Sequence, residues 1–244
     1  MGQGAHGGMV VTLIGTGRLG TNLRAALLQA GHEVRQFRGR SFSPSDIVGD
    51  VVIICVKDDA IPVVAKTLTQ SPMLVVHTAG SVDMNVLPMC RRGVFYPMQT
   101  FSKEHLVDFD NIPLFIEGNN AEDTKTLEQL AKSISRKVYR LNSDDRKYLH
   151  LAAVFACNFS NHCYDLADEI LSQHGIPFEV MLPLIDQTAQ KVHHLSPRQA
   201  QTGPAVRNDK IIIAQHEALL KGKTKDIYCI ISQNIYDKLR LKED

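Results

Sequence analysis

The stretch from Met9 to Gly20 constrains the fold of this chain more tightly than any other. Met9 to Ile14 is an apolar run rich in β-branched residues, the pattern of a strand buried on both faces of a parallel sheet. Gly15-Thr16-Gly17-Arg18-Leu19-Gly20 follows at once. Leu19, Leu23, Ala26, Leu27 and Ala30 then recur along one side of a helix, Gly31 stands at its C-terminal end, and His32 to Phe37 reads as a second strand. Strand, glycine turn, helix and strand in that order make a dinucleotide-binding unit. Gly15 gives the tight turn, Gly17 presents no side chain to a pyrophosphate, and Gly20 lets the helix lie close on the sheet. The first amides of the helix face the phosphates. The competing reading is a glycine-rich turn that holds no ligand.

The end of the second strand selects the cofactor. NAD calls for a carboxylate there, to accept hydrogen bonds from the adenosine ribose. The chain instead has Phe37-Arg38-Gly39-Arg40-Ser41, with guanidiniums and a hydroxyl but no acid. That set suits the 2′-phosphate of NADP; the alternative is a solvated basic turn. The expected cofactor contacts are Gly15, Thr16, Gly17, Arg18, Leu19, Gly20, Arg38, Arg40 and Ser41, with Val56 and Lys57 from the end of the next strand.

Further strands are expected at Asp50 to Val56, Met73 to His77, Gly93 to Tyr96, Ile112 to Glu117 and Lys137 to Leu141. A helix begins near Ala60 with Pro62 in its first turn, and Asn120 caps another from Ala121 to Ile134. His77 and Thr78-Ala79-Gly80-Ser81 should open onto the cofactor crevice, and Pro97 to Ser102 should lie on the substrate side. From Asp144 the pattern turns helical. Asp144 to Ser172 reads as one long helix, interrupted by Asn158, Ser160, Asn161 and His162. Asparagine inside a helix is unfavourable, and costly if buried unpaired. These polar groups mark either close approach by a ligand or a polar network at a dimer contact. Further helices should run from Pro177 to about His194, from Lys210 to Leu220, and beyond Gly222. The fold class is α/β: a Rossmann NADP-binding domain over residues 9–142 and an all-helical substrate and dimerisation domain over 143–244. A small-molecule substrate is expected between the two. The plentiful apolar helix faces point to a homodimer.

Composition excludes other classes. With 27 basic and 26 acidic residues among 244, the net charge is +1, which gives no reason to expect a nucleic-acid partner. No apolar run reaches the roughly 18 residues of a membrane span. Five scattered cysteines without a CxxC argue against a disulfide scaffold and a zinc site, and suit a reducing, cytoplasmic compartment. His193-His194 makes no metal pair, because adjacent helical residues do not share a face. Met1 to Gly8 carries no secretory pattern and reads as a leader ahead of a start at Met9.

The chemistry expected is hydride transfer between NADP(H) and a small carbonyl, imine or hydroxy or amino acid. It needs a proton donor, and histidine is the natural one near neutral pH. His77 is best placed by topology, with His162 and then His216 behind it; each could instead satisfy a core hydrogen bond. Asn158 could orient a polarised atom. Arg207 could clamp a carboxylate with Asp209 holding it, or the pair could be a structural salt bridge. The alternatives are a non-catalytic NADP-binding sensor or structural dimer, and a deazaflavin-dependent NADP reductase.

Several segments carry a resemblance. They are Val11 to Gly20, His77 to Val82, Phe95 to Phe101, Ala152 to Asn161, and Thr202-Gly203-Pro204 with Arg207, Asp209 and His216. With them the chain resembles the Rossmann-like plus DUF2520 family of NADP oxidoreductases. That group is related to pyrroline-5-carboxylate reductase and the coenzyme F420-dependent NADP reductases within the 6-phosphogluconate dehydrogenase-like superfamily. The resemblance implies a Rossmann domain, a helical dimerisation domain and a nicotinamide cofactor. The chain lacks the Lys and Asn, one turn apart, of the hydroxyacid branch: Asn158 has Val154 before it and His162 after it.

Overall fold

The computed structural model describes residues 7–39 and 41–240; Met1 to His6, Arg40 and Leu241 to Asp244 lie outside the described residues. Contacts divide the chain into two compact units, one ending at Cys157 and the other beginning at Asn158. The first is a sheet flanked by helices, the second is helical.

The sheet contains β1 (Val10–Ile14), β2 (Glu33–Phe37), β3 (Val51–Ile54), β4 (Leu74–His77), β5 (Arg92–Pro97), β6 (Leu114–Gly118) and β7 (Val138–Arg140). Their spatial order is β2-β1-β3-β4-β5-β6-β7. β1 to β5 are mutually parallel, β6 runs against β5, and β7 follows β6. The chain therefore leaves β1 toward β2 and then returns to its other side at β3. That reversal opens a crevice at the carboxyl ends of β1 and β3, where doubly wound sheets take their ligands.

The strand sequences explain the burial. Val51 to Ile54 and Leu74 to His77 are wholly covered, as continuous β-branched runs require when both faces are packed. On one face α1 (Arg18–Gln29) and α3 (Ala121–Ile134) bring Leu23, Leu27, Leu127 and Leu130 against Leu13, Ile53 and Phe95. On the other, α2 (Ile61–Thr67) brings Ile61, Val64 and Ala65 against Ile14, Val52 and Ile54. Pro62 sits in the first turn of α2, where no N–H is missed. Asn120 caps α3 by accepting the Asp123 N–H at 2.8 Å. Gly31 ends α1 at φ +85°. Burial pushes the Cys55 thiol up to about 12, so this cysteine behaves as a core hydrophobe.

α4 (Ser143–Ala153) follows β7, capped by Asn142, which accepts the Asp145 N–H at 2.8 Å. It belongs with the sheet to the unit that ends at Cys157. The reason is Arg146, only 1% exposed, which bonds Glu117 on β6 and the Val82 carbonyl at 2.6 Å each. The expected long helix is divided. Val154–Phe159 is π-helical and α5 (Ser160–Ser172) resumes beyond it. The widened turn contains Asn158, one of the polar residues that interrupt the apolar pattern.

The second unit continues with α6 (Leu182–Lys191), α7 (Pro197–Ala200), α8 (Lys210–Leu219) and α9 (Gly222–Arg240). Gly222, at φ +56°, starts α9 after the break that ends α8. Among its described residues Ala205 alone is buried, while Ile211, Leu219 and Ile230 are 69–80% exposed.

Candidate cofactor and active site

The glycine turn at the end of β1 is built around close backbone approaches. Gly15 has φ +133°, and its N–H donates to the Phe37 carbonyl at 2.8 Å. A Cβ on Gly15 would lie 2.2 Å from the Cys55 carbonyl oxygen, and one on Gly20 would lie 2.4 Å from that of Gly15. Neither space admits a side chain. Gly17 is the opposite case: a Cβ there would meet nothing within 4 Å. The turn is thus closed on its inner side and open on its outer side, at the start of α1. No side chain caps that helix end, which leaves its first amides available to an anion. Thr16 and Arg18 are exposed and Leu19 is half-buried, with its side chain against the core. Gln36 steadies the turn by donating to the Gly15 carbonyl at 2.8 Å; the glycine pattern does not reveal that bond.

At the end of β2 the chain turns back, with the Ser41 N–H donating to the Arg38 carbonyl at 2.8 Å. A Cβ on Gly39 would lie 3.5 Å from a Val56 methyl, so this turn sits against the end of β3. Arg38, Ser41 and Lys57 are exposed and Val56 is half-buried. Asp46, further along the same connection, is engaged in capping, accepting the Ser43 N–H at 2.8 Å. Gly15 to Gly20, Arg38, Ser41, Val56 and Lys57 therefore share one edge of the sheet. Arg40 lies outside the described residues.

Of the residues expected to be catalytic, His77 falls in the first unit. His77 ends β4 fully buried. Its Nδ1 accepts the Ala79 N–H at 3.2 Å, and its Nε2 has no hydrogen-bond partner. Burial, with the Arg146 charge adding to it, lowers its pKa to about 4 against the weaker opposing pull of Asp83. His77 is therefore neutral and enclosed at neutral pH, and it does not open onto the crevice as its strand-end position suggested. Asn158, His162 and Arg207 belong to the second unit and are exposed. His162 Nδ1 lies 3.7 Å from Asp165. Asp209 does not hold Arg207; it caps α8 by accepting the Ile212 N–H at 3.2 Å. His216, half-buried, is paired with the Tyr228 hydroxyl at 2.9 Å.

A different polar group occupies the ends of β3 to β5. Tyr96, near the end of β5 and 9% exposed, has its hydroxyl 3.1 Å from Nδ1 of His150 on α4. The rings meet edge to face, with centroids 6.0 Å apart. Beside them Ser81 donates to Asp58 at 3.0 Å, joining the segments that follow β4 and β3. The sequence signal for His150 is faint: it stands four residues after Arg146, so the two share a helix face.

Among the described residues no group of three His, Cys, Asp or Glu is placed to hold a metal ion. Nor is any helix among them long and apolar enough to cross a membrane.

With this geometry in hand, the chain compares clearly with known proteins. The family model described as a domain of unknown function, DUF2520, matches residues 112–235, and the chain belongs to that family. A Bacteroides fragilis protein described as a "putative NADP oxidoreductase" is 40% identical, with 94% of this chain and 98% of that chain covered and a TM-score of 0.87. A Thermotoga maritima protein is 22% identical, covering 94% of this chain and 99% of its own, with a TM-score of 0.71. An Aspergillus terreus reductive aminase, solved with NADPH and ethyl levulinate, is 14% identical over 97% of this chain and 95% of its own, also at 0.71. The last two share the fold. No curated protein matches the chain.

Proposed function

We propose that this protein is an NADP(H)-dependent oxidoreductase that moves a hydride between NADP(H) and a small carbonyl, imine, or hydroxy or amino acid. The observation that carries the reading is the turn after β2. It sets Gly39 against Val56 and carries Arg38 and Ser41, with no acid among Phe37 to Ser41, at the sheet edge that also bears the glycine turn. The 40% identical Bacteroides fragilis protein bears an NADP oxidoreductase description, which supports the same cofactor.

The residues fit the group. Gly17 and the uncapped start of α1 leave room and donors for a pyrophosphate. Arg38 and Ser41 suit a 2′-phosphate, for which a guanidinium provides charge-assisted hydrogen bonds. The bound nicotinamide supplies the hydride chemistry; the protein orients it and excludes competing reactions. Asn158, His162 and Arg207 are retained as candidate substrate contacts, tested by single substitutions once a substrate is in hand.

Thermal-shift titration with NADP(H) against NAD(H) tests the cofactor. A larger stabilisation by NADP(H) is expected, and a stronger response to NAD(H) would refute the arginine argument. Arg38→Ala should weaken NADPH binding by roughly tenfold or more, the loss of about one charged hydrogen bond, and leave NADH binding unchanged. Equal loss of both counts against the role.

The second unit's exposed apolar residues, among them Ile211, Leu219 and Ile230, further support a homodimer in which another copy covers them. Sedimentation at micromolar concentration should return twice the 27.1 kDa chain mass; a monomer would remove that part of the proposal.

A further inference from the structure

The proposed hydride transfer needs a proton donor, and His77 is enclosed. We infer that the Tyr96–His150 pair is that donor, with Tyr96 Oη facing the reacting oxygen of a carbonyl substrate and His150 refilling it. The inference rests on the NADP(H) reading above and deepens it by naming the substrate class.

Position comes first. β5 runs parallel to β4, β3 and β1, so Tyr96 lies at the same carboxyl edge as the glycine turn. Ligands of doubly wound sheets sit along that edge. The phosphate-binding features occupy the ends of β1 and β2, which leaves the ends of β3 to β5 for the reactive half of a dinucleotide.

The pair is also built with care. A Cβ on Gly80 would fall 2.5 Å from His150 Nδ1 and 2.9 Å from Tyr96 Cζ. Only glycine at that position lets the two rings meet over the segment after β4. Arg146, one helical turn before His150, clamps α4 to β6 through Glu117 and to the Val82 carbonyl. Ser143 joins the same cluster, donating to Glu117 at 2.7 Å and accepting the Met84 N–H at 3.0 Å. Four contacts thus hold the face of α4 that presents His150. His150 itself is half-exposed, so its far nitrogen can exchange protons with solvent while Nδ1 faces the tyrosine.

The chemistry selects a carbonyl over an imine. Burial raises the Tyr96 phenol, partly offset by the Arg146 charge and reinforced by Asp58, so the group stays protonated at neutral pH. When a carbonyl carbon accepts a hydride with its electron pair, the π electrons move to oxygen and leave a strong base. The Tyr96 O–H bond then breaks toward that oxygen. His150 Nδ1 then passes a proton to the phenolate as the far ring nitrogen takes one from water, leaving hydroxide in solvent. An imine must be protonated before it accepts hydride, and a phenol, with an ordinary pKa of about 10, is poorly matched to that task.

The test uses the full chain, labelled with 13C-histidine. The His150 signal is the one lost in His150→Gln. Saturation with NADP+ should shift it. An unmoved signal, with binding shown by thermal shift, overturns the inference and leaves the cofactor reading intact. Failure to bind NADP+ at all defeats that reading instead, and this inference with it. Activity provides the second arm, with NADPH and separate sets of small ketones and aldehydes and of cyclic imines. Tyr96→Phe keeps the ring against Phe115 and removes only the hydroxyl. It should lower kcat on carbonyl probes by about 100-fold or more, with NADPH affinity unchanged. His150→Gln should lower it less. Unchanged turnover in Tyr96→Phe, turnover confined to imines, or none with any carbonyl probe would each count against the inference.

Discussion

Single residues set the tolerances of this protein. Gly15 and Gly20 stand where an added methyl would press into backbone, so Gly20→Ala should cost on the order of 1–3 kcal/mol and weaken NADP(H) binding. Urea titration and thermal shift would read the two effects. His77 gives a pH signature. Its pKa is about 4 when folded and 6.5 when unconstrained. Between those values the unfolded chain binds the extra proton, so stability is full above about pH 6.5 and falls as the pH drops toward 4. The shift corresponds to about 3 kcal/mol. His77→Asn keeps an acceptor for the Ala79 N–H and cannot titrate. The urea midpoint of this variant should therefore fall less over the same range. An identical pH slope in both proteins would show that other groups dominate.

At the scale of elements, α4 is the informative case. Its sequence carries a helical pattern, but Arg146 decides where the helix belongs. The guanidinium is buried against Glu117, and removing one member of such a pair leaves the other charge without its partner. Arg146→Leu should therefore cost about 3–5 kcal/mol, measured by urea denaturation, and should release His150 from Tyr96. A smaller structural device acts at α1. Buried Asn22 donates to the Ser102 carbonyl at 2.7 Å and accepts the Val107 N–H at 2.9 Å. It thereby ties the segment between β5 and β6 to the helix that follows the glycine turn. Asn22→Ala should cost about 1–3 kcal/mol through the unpaired buried amide it leaves, and hydrogen exchange should rise at Val107 first.

For the whole molecule, the chain from β1 to β7 was legible before its structure, because β-branched runs, glycine turns and caps are local signals. The glycine turn was legible too, since Gly15 and Gly20 stand where the backbone leaves no room for a side chain. The proton-transfer residues were not legible in this way. His77 lies at a strand end in sequence, and only packing on both faces of the sheet shows that it is enclosed. Tyr96 and His150 are 54 residues apart and neither forms a motif; Gly80 and Arg146 bring them together. The attachment of α4 to the sheet was hidden for the same reason, because the Arg146–Glu117 contact is long-range. What the sequence determined alone is what neighbouring residues decide: strands, turns and caps. Only tertiary structure decided which buried groups stay neutral and which distant side chains meet, because both depend on desolvation and packing by segments remote along the chain.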